Sequence, residues 1–226
     1  MTYTRQAVFL FDVDNTLLDN DHVEKDLRYH IETEFGIDSR DRYFAIFEKL
    51  RSELGYSDYL GALQRYRIEE SFDPRLFKIS SFLVDYPFVK RLYDGSLDSL
   101  RHVGLWGPPV ILSDGDIVFQ PRKIHRSGLW DAVGGRVLIY IHKEQMLHDV
   151  EKRYPAQHYI MVDDKLRILS AMKDIWGNRL TTIFVRQGHY AFDPKINLAY
   201  PKADINLAHI RDLINYDLST FLNTSS

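Results

Sequence analysis

The stretch Val8-Phe9-Leu10-Phe11-Asp12-Val13-Asp14-Asn15-Thr16-Leu17-Leu18-Asp19 decides how the rest of the chain is read. Its apolar run, Ala7 to Phe11, is long enough for a buried strand of a parallel sheet. The run delivers two carboxylates, Asp12 and Asp14, at a spacing that puts both on one face of a strand. Acids at the carboxyl end of a core strand stand where open α/β sheets bind their ligands. Left unpaired they would repel each other, so a cation is expected beside them. A strand ending in a polar turn at Asn15-Thr16 accounts for the turn. It does not account for two acids on one face.

Outward from this stretch, residues 21 to 86 read as helical. Val23, Leu27, Ile31 and Phe35 form one stripe, and Phe44, Phe47, Leu50 and Leu54 a second. Tyr59, Leu60 and Leu63 open a third helix. Leu76, Phe77, Leu83 and Val84 suggest a fourth, stopped before Pro87. A small helical bundle is therefore expected directly after the first strand. Its Tyr56, Tyr59, Tyr66, Arg65 and Arg67 are read as a solvated basic face with half-buried aromatics, or else as a wall against substrate.

Beyond it, a helix is expected from about Leu97 to Leu105, then a short strand Val110-Ile111-Leu112 ending in Ser113-Asp114-Gly115-Asp116. A helix from about Asp116 to Arg126 carries Arg122, Lys123 and Arg126, read as solvent-facing charge. A brief strand, Leu138 to Ile141, leads into His142-Lys143-Glu144, which opens a helix to about Arg153. His158 to Val162 is a further buried strand, and it ends in a second acid pair, Asp163-Asp164. Such hard oxygen donors suit a divalent cation such as Mg²⁺. A helix to about Trp176 and a strand Leu180 to Val185 follow. His189 reads as a hydrogen-bonded loop residue. Ala203 to Ile205 is a last strand, Leu207 to Leu222 a closing helix, and Asn223-Thr224-Ser225-Ser226 a fraying end.

The chain has 226 residues, 45% apolar and 27% charged, as one large domain or a core with an insertion requires. It has no Cys, which excludes thiol catalysis and thiolate metal sites and fits a reducing compartment. A net charge of −3 without a basic block favours neither nucleic acid nor an anionic membrane. No apolar stretch is long enough to span a bilayer, and the first apolar run is too short for a signal peptide. A cytoplasmic protein is the expectation.

Strand and helix alternate from Pro109 onward, which argues for a Rossmann-like α/β fold, a parallel sheet with helices on both faces. Four features in order resemble the motifs of the haloacid dehalogenase superfamily with a helical cap inserted after the first motif. They are Asp12-x-Asp14-x-Thr16, the strand ending in Ser113, Lys143 near a helix start, and the pair Asp163-Asp164. The resemblance covers the whole chain and implies a core of residues 1–19 and 90–226 with a cap of residues 20–89.

The resemblance further implies a Mg²⁺-dependent phosphatase acting on a small phosphorylated metabolite. Asp12 would be the nucleophile that forms an aspartyl-phosphate, and Asp14 the acid and base for leaving oxygen and water. Ser113, Asp114, Gly115 and Lys143 would hold phosphate. Gly115 would admit a close backbone approach to the anion. Mg²⁺ would rest on Asp12, the backbone carbonyl of Asp14, and Asp163 with Asp164; which of the last two is the direct ligand stays open. Dehalogenases of the superfamily lack the second Asp, so Asp14 favours phosphoryl transfer. A phosphomutase shares Asp14. A receiver-like phosphate-binding module also uses acids, a hydroxyl, a Lys and Mg²⁺. Its adjacent acid pair, however, lies on the first strand and its phosphorylated Asp on a later one, whereas here the first strand carries Asp12-x-Asp14. Receivers also have no large helical insertion. The cap residue types name no substrate, and oligomeric state is not legible.

Overall fold

A computed structural model describes residues 5–69 and 73–218. Six parallel strands form one sheet: β1 Arg5–Phe11, β2 Pro109–Asp114, β3 Val137–Tyr140, β4 Ala156–Asp163, β5 Leu180–Val185 and β6 Ile205–Leu207, in the order β3-β2-β1-β4-β5-β6. Strand β1 pairs Phe9 with Pro109 on one side and with Ile160 on the other. The order reverses at β1, so the crevice where such sheets bind ligands opens beside its carboxyl end.

Alternation along the strands separates two cores. Phe9, Phe11, Ile160 and Val162 face one side, covered by helices α5 (Ser96–Val103) and α6 (Phe119–Ser127). Val8, Leu10, Tyr159 and Met161 face the other, covered by Leu147–Arg153 and Leu166–Trp176. Helices on both faces explain why the strands are apolar throughout rather than alternating.

Between β1 and α5 the described residues form helices α1 (Asn20–Phe35), α2 (Ile37–Leu54), α3 (Tyr59–Glu69) and α4 (Phe77–Asp85), with no strand. Both expected stripes face inward: Val23, Leu27 and Ile31 of α1, and Phe44, Phe47 and Leu50 of α2, are buried. This packing is continuous with the α5–α6 side of the sheet, where Phe119 meets Tyr59 and Phe88 at ring distances of 5.4 and 5.7 Å. Arg122 donates to Val84 O at 3.0 Å and Arg126 to Asp85 O at 2.8 Å, so these two exposed cations also tie α6 to the helical segment.

Three expectations change. Lys143–Gln145 form a single tight turn before the helix Leu147–Arg153. The last strand lies at Ile205–Leu207, two residues later than the sequence suggests. In place of a closing helix the described residues show a short 3-10 segment, Ile210–Asn215, whose Ile210 and Leu213 are buried against α5. Residues 219–222 of that expected helix and the polar end Asn223–Ser226 lie outside the described residues. No described helix is long and apolar enough to cross a membrane.

Candidate active site

The carboxyl ends of β1, β2 and β4 bring the expected residues together. Asp12 extends the ladder by donating its N–H to Val162 O at 3.0 Å. The chain then turns: Asn15 takes a left-handed conformation (φ 62), which Asn tolerates, and its side-chain oxygen accepts the N–H of Asn20 at 3.0 Å. The carboxylate of Asp12 is held at both oxygens, by Lys143 Nζ at 2.5 Å and by Thr16 Oγ1 at 3.2 Å.

Lys143 is 1% exposed and reaches in from the turn after β3, which is pinned by its own N–H donating to Asp114 Oδ1 at 2.7 Å. Its Nζ also lies 2.8 Å from Asp163 Oδ2, an ion pair without a directed hydrogen bond. Burial opposes a charge there. The carboxylates of Asp12, Asp163 and Asp114 outweigh it and raise the pKa above the ordinary lysine value.

Oxygens of Asp12, Asp163 and Asp164 lie within 4.8 Å of one another, all three residues buried. Both oxygens of Asp164 are buried without a hydrogen-bond partner. Burial pushes Asp164 well above the usual carboxylate range, Asp163 and Asp12 add to this, and Lys165 opposes it. Burial raises Asp163 as well. Orphaned buried carboxylates are costly, and such an all-oxygen cluster could hold a hard divalent cation.

Asp14 does not share this cluster. Its Oδ1 accepts from Lys123 Nζ at 2.6 Å, and Lys123 also donates to Asn20 Oδ1 at 2.9 Å. Reading Lys123 as solvent-facing charge is therefore wrong: it is 1% exposed. The signal was present on α6, where Phe119, Gln120, Ile124 and Ser127 are buried and the helical period puts position 123 on the same face. Gln120, likewise missed, donates to Ser113 Oγ at 2.9 Å and lies 3.5 Å from Asp14 Oδ2.

Ser113 is buried where β2 ends. The N–H of Gly115 is donated to Tyr140 O at 3.0 Å. The missing side chain makes room for Gln120, because a Cβ there would fall 2.8 Å from Gln120 Cβ. Burial pushes Asp114 up to about 6, against the pull of Lys143.

A cleft of ≈ 290 Å³ opens above these residues. Asp14, Asp114, Gln120 and Lys165 line it from the sheet side, Arg51, Tyr56 and Ser57 from the helical segment. Of the tyrosines and arginines singled out in the sequence, Tyr56 alone lines this cleft. Tyr59 and Tyr66 are core, Arg65 pairs with Glu53 at 2.8 Å, and Arg67 lines a separate surface pocket. His189 is hydrogen-bonded as expected, its Nδ1 2.7 Å from Asp21 Oδ1, but it sits in a one-turn helix, Gly188–Ala191, rather than in a loop.

Among solved structures, a protein described as a haloacid dehalogenase-like hydrolase from Burkholderia xenovorans is 66% identical, with a TM-score of 0.91, over 94% of this chain and 99% of that one. The chain belongs to the haloacid dehalogenase-like hydrolases. It is therefore an enzyme. Two more distant structures share the haloacid dehalogenase fold. One is YfnB from Bacillus subtilis, solved bound to magnesium, 18% identical with a TM-score of 0.63 over 94% of this chain and 98% of that one. The other is an L-2-haloacid dehalogenase from Xanthobacter autotrophicus with chloropropionic acid covalently bound, 16% identical with a TM-score of 0.58 over the same shares. No family model and no curated protein matches the sequence.

Proposed function

We propose that this haloacid dehalogenase-like hydrolase is a Mg²⁺-dependent phosphatase that cleaves a small phosphorylated metabolite through an aspartyl-phosphate on Asp12. The observation that carries this reading is the buried cluster of Asp12, Asp163 and Asp164, with both oxygens of Asp164 unpartnered. Those three carboxylates, with the backbone carbonyl of Asp14, would hold the ion. When bound, Mg²⁺ neutralises charge on the phosphoryl oxygens and the attacking carboxylate.

The chain's own residues do the rest. The Asp12 carboxylate attacks phosphorus; its O–P bond forms as the bond to the leaving oxygen breaks, and Asp14 gives that oxygen a proton. Water then attacks phosphorus, Asp14 takes its proton, and phosphate leaves Asp12 free. Lys143, held against Asp12, offsets the repulsion between two anions. Ser113, Asp114 and Gly115 stand at the end of β2 beside the phosphoryl group, with the Ser113 hydroxyl oriented by Gln120. Residues 20–89 act as a cap that excludes water from the cleft and contributes Arg51, Tyr56 and Ser57 to substrate choice. The lack of Cys fits a cytoplasmic enzyme, and the charge balance fits a small-molecule partner rather than nucleic acid or a membrane.

Dehalogenation gives Asp14 no work, since a halide leaves without a proton. The test is a panel of phosphorylated metabolites run beside 2-chloropropionate, with Mg²⁺ and with EDTA. Metal-dependent phosphate release, lost in Asp12→Asn, is expected. Chloride release without phosphate release would overturn the reading, and phosphoryl transfer to a second substrate position would make the enzyme a mutase.

A further inference from the structure

We infer that Lys123 is a positioning residue that holds Asp14 for proton transfer and couples it to the helical segment through Asn20. This rests on the phosphoryl-transfer reading, in which Asp14 serves the leaving oxygen.

The two acids of the first motif have separate buried lysines. Lys143 holds Asp12 from the turn after β3, and Lys123 holds Asp14 from α6. A buried ammonium persists only with close partners, and Lys123 has Asp14 Oδ1 at 2.6 Å and Asn20 Oδ1 at 2.9 Å. Two fixed partners on one Nζ set the Asp14 carboxylate in one rotamer. Its second oxygen, only distantly approached by Gln120 at 3.5 Å, is the one left for the cleft that Asp14 lines.

The same ammonium leads into the helices. Asn20, the first residue of α1, donates to the Tyr59 hydroxyl at 3.2 Å. Tyr59 is buried, stacked on Phe47 at 4.6 Å, and its carbonyl accepts from the Tyr43 hydroxyl at 2.8 Å. The seating of α1, α2 and α3 therefore bears on Asp14 through Lys123. A carboxylate released from this hold can turn toward other partners, and a displacement of about 1 Å costs roughly 10²-fold in rate.

The test uses Lys123→Met and Asn20→Ala, each alone and with Asp14→Asn, on glycerol 2-phosphate and 4-nitrophenyl phosphate. K123M should lower kcat for glycerol 2-phosphate by about 10²-fold, with KM little changed. The loss should be smaller for the nitrophenyl ester, whose leaving group needs no acid. N20A should act in the same direction and less strongly, and it carries the test if K123M does not fold. Neither change should lower the rate further once Asp14 is Asn. Undiminished losses in the D14N background, equal losses for both esters, or no loss would each overturn the inference. A crystal structure of K123M (or of N20A, if K123M does not fold) gives a readout free of activity. The Asp14 carboxylate should have left its place, and finding it unmoved would also overturn the inference. If the wild type hydrolyses neither these esters nor any in the panel, the phosphatase reading fails, while this structural readout still decides the positioning role.

Discussion

Lys143 Nζ lies 2.5 Å from Asp12 Oδ1, and neither side chain is open to solvent. The pair joins the end of β1 to the turn after β3. Removing one member strands the other, and Asp163 beside it, as uncompensated buried charge. Lys143→Met should therefore lower the urea-unfolding free energy in EDTA by about 3–5 kcal/mol and abolish turnover. The double variant K143M/D12N should be less destabilised than K143M alone. A K143M protein as stable as wild type would mean that the pair does not anchor the site.

Mg²⁺ should raise the melting temperature, and EDTA should reverse the rise. An ion present at 100 times its Kd adds about 2.7 kcal/mol to stability. Asp164→Asn should abolish this gain while leaving the protein folded, because it removes charge from a residue whose carboxylate is buried unpartnered. A melting temperature indifferent to Mg²⁺ in the wild type would remove the cation from the site.

Asp114 gives a pH signature of its own. Its folded pKa, pushed up to about 6 by burial, lies above the ordinary aspartate value of 3.8. The folded state therefore binds the proton more tightly, and stability from this residue falls as pH rises between those two values. Asp114→Asn keeps an oxygen for the Lys143 N–H and removes the charge. It should match wild type near pH 4 and exceed it by about 1–3 kcal/mol at pH 7.5. Urea melts at the two pH values measure this, and a pH-independent difference would refute it.

Substrate preference should follow the cleft. Substitutions at Tyr56, Ser57 or Arg51 should reorder a panel of phosphate esters more than they slow 4-nitrophenyl phosphate. Arg65→Ala should leave the ranking alone, because Arg65 pairs with Glu53 on the surface. A ranking changed by R65A and untouched by Y56A would place the substrate wall elsewhere.

The parts legible in the sequence are those set by local pattern. Apolar runs ending in acids mark β1 and β4, and the stripes of α1 and α2 announce which faces are buried. Lys123 escaped because a lysine is read as solvated unless its helix face is weighed; Phe119 and Ile124 flank it on the buried side. The packing of Gly115 against Gln120, the second residue of α6, is not legible, because it depends on how that helix folds back on the end of β2. The apolar spacing of the closing segment predicts a helix, whereas Ile210 and Leu213 pack as a tighter turn against α5.

By itself the sequence determined that buried parallel strands would carry Asp12, Asp14, Asp163 and Asp164 to one edge of a sheet. Burial of an apolar run and the end of a strand are properties of contiguous residues. Only the tertiary structure decided which cation answers which acid. Lys143 is 131 residues from Asp12 and Lys123 is 109 from Asp14, and their pairing depends on how β2, β3 and α6 pack around β1. The partner of a buried charge is chosen by proximity in space, because inside the protein no water remains to serve in its place.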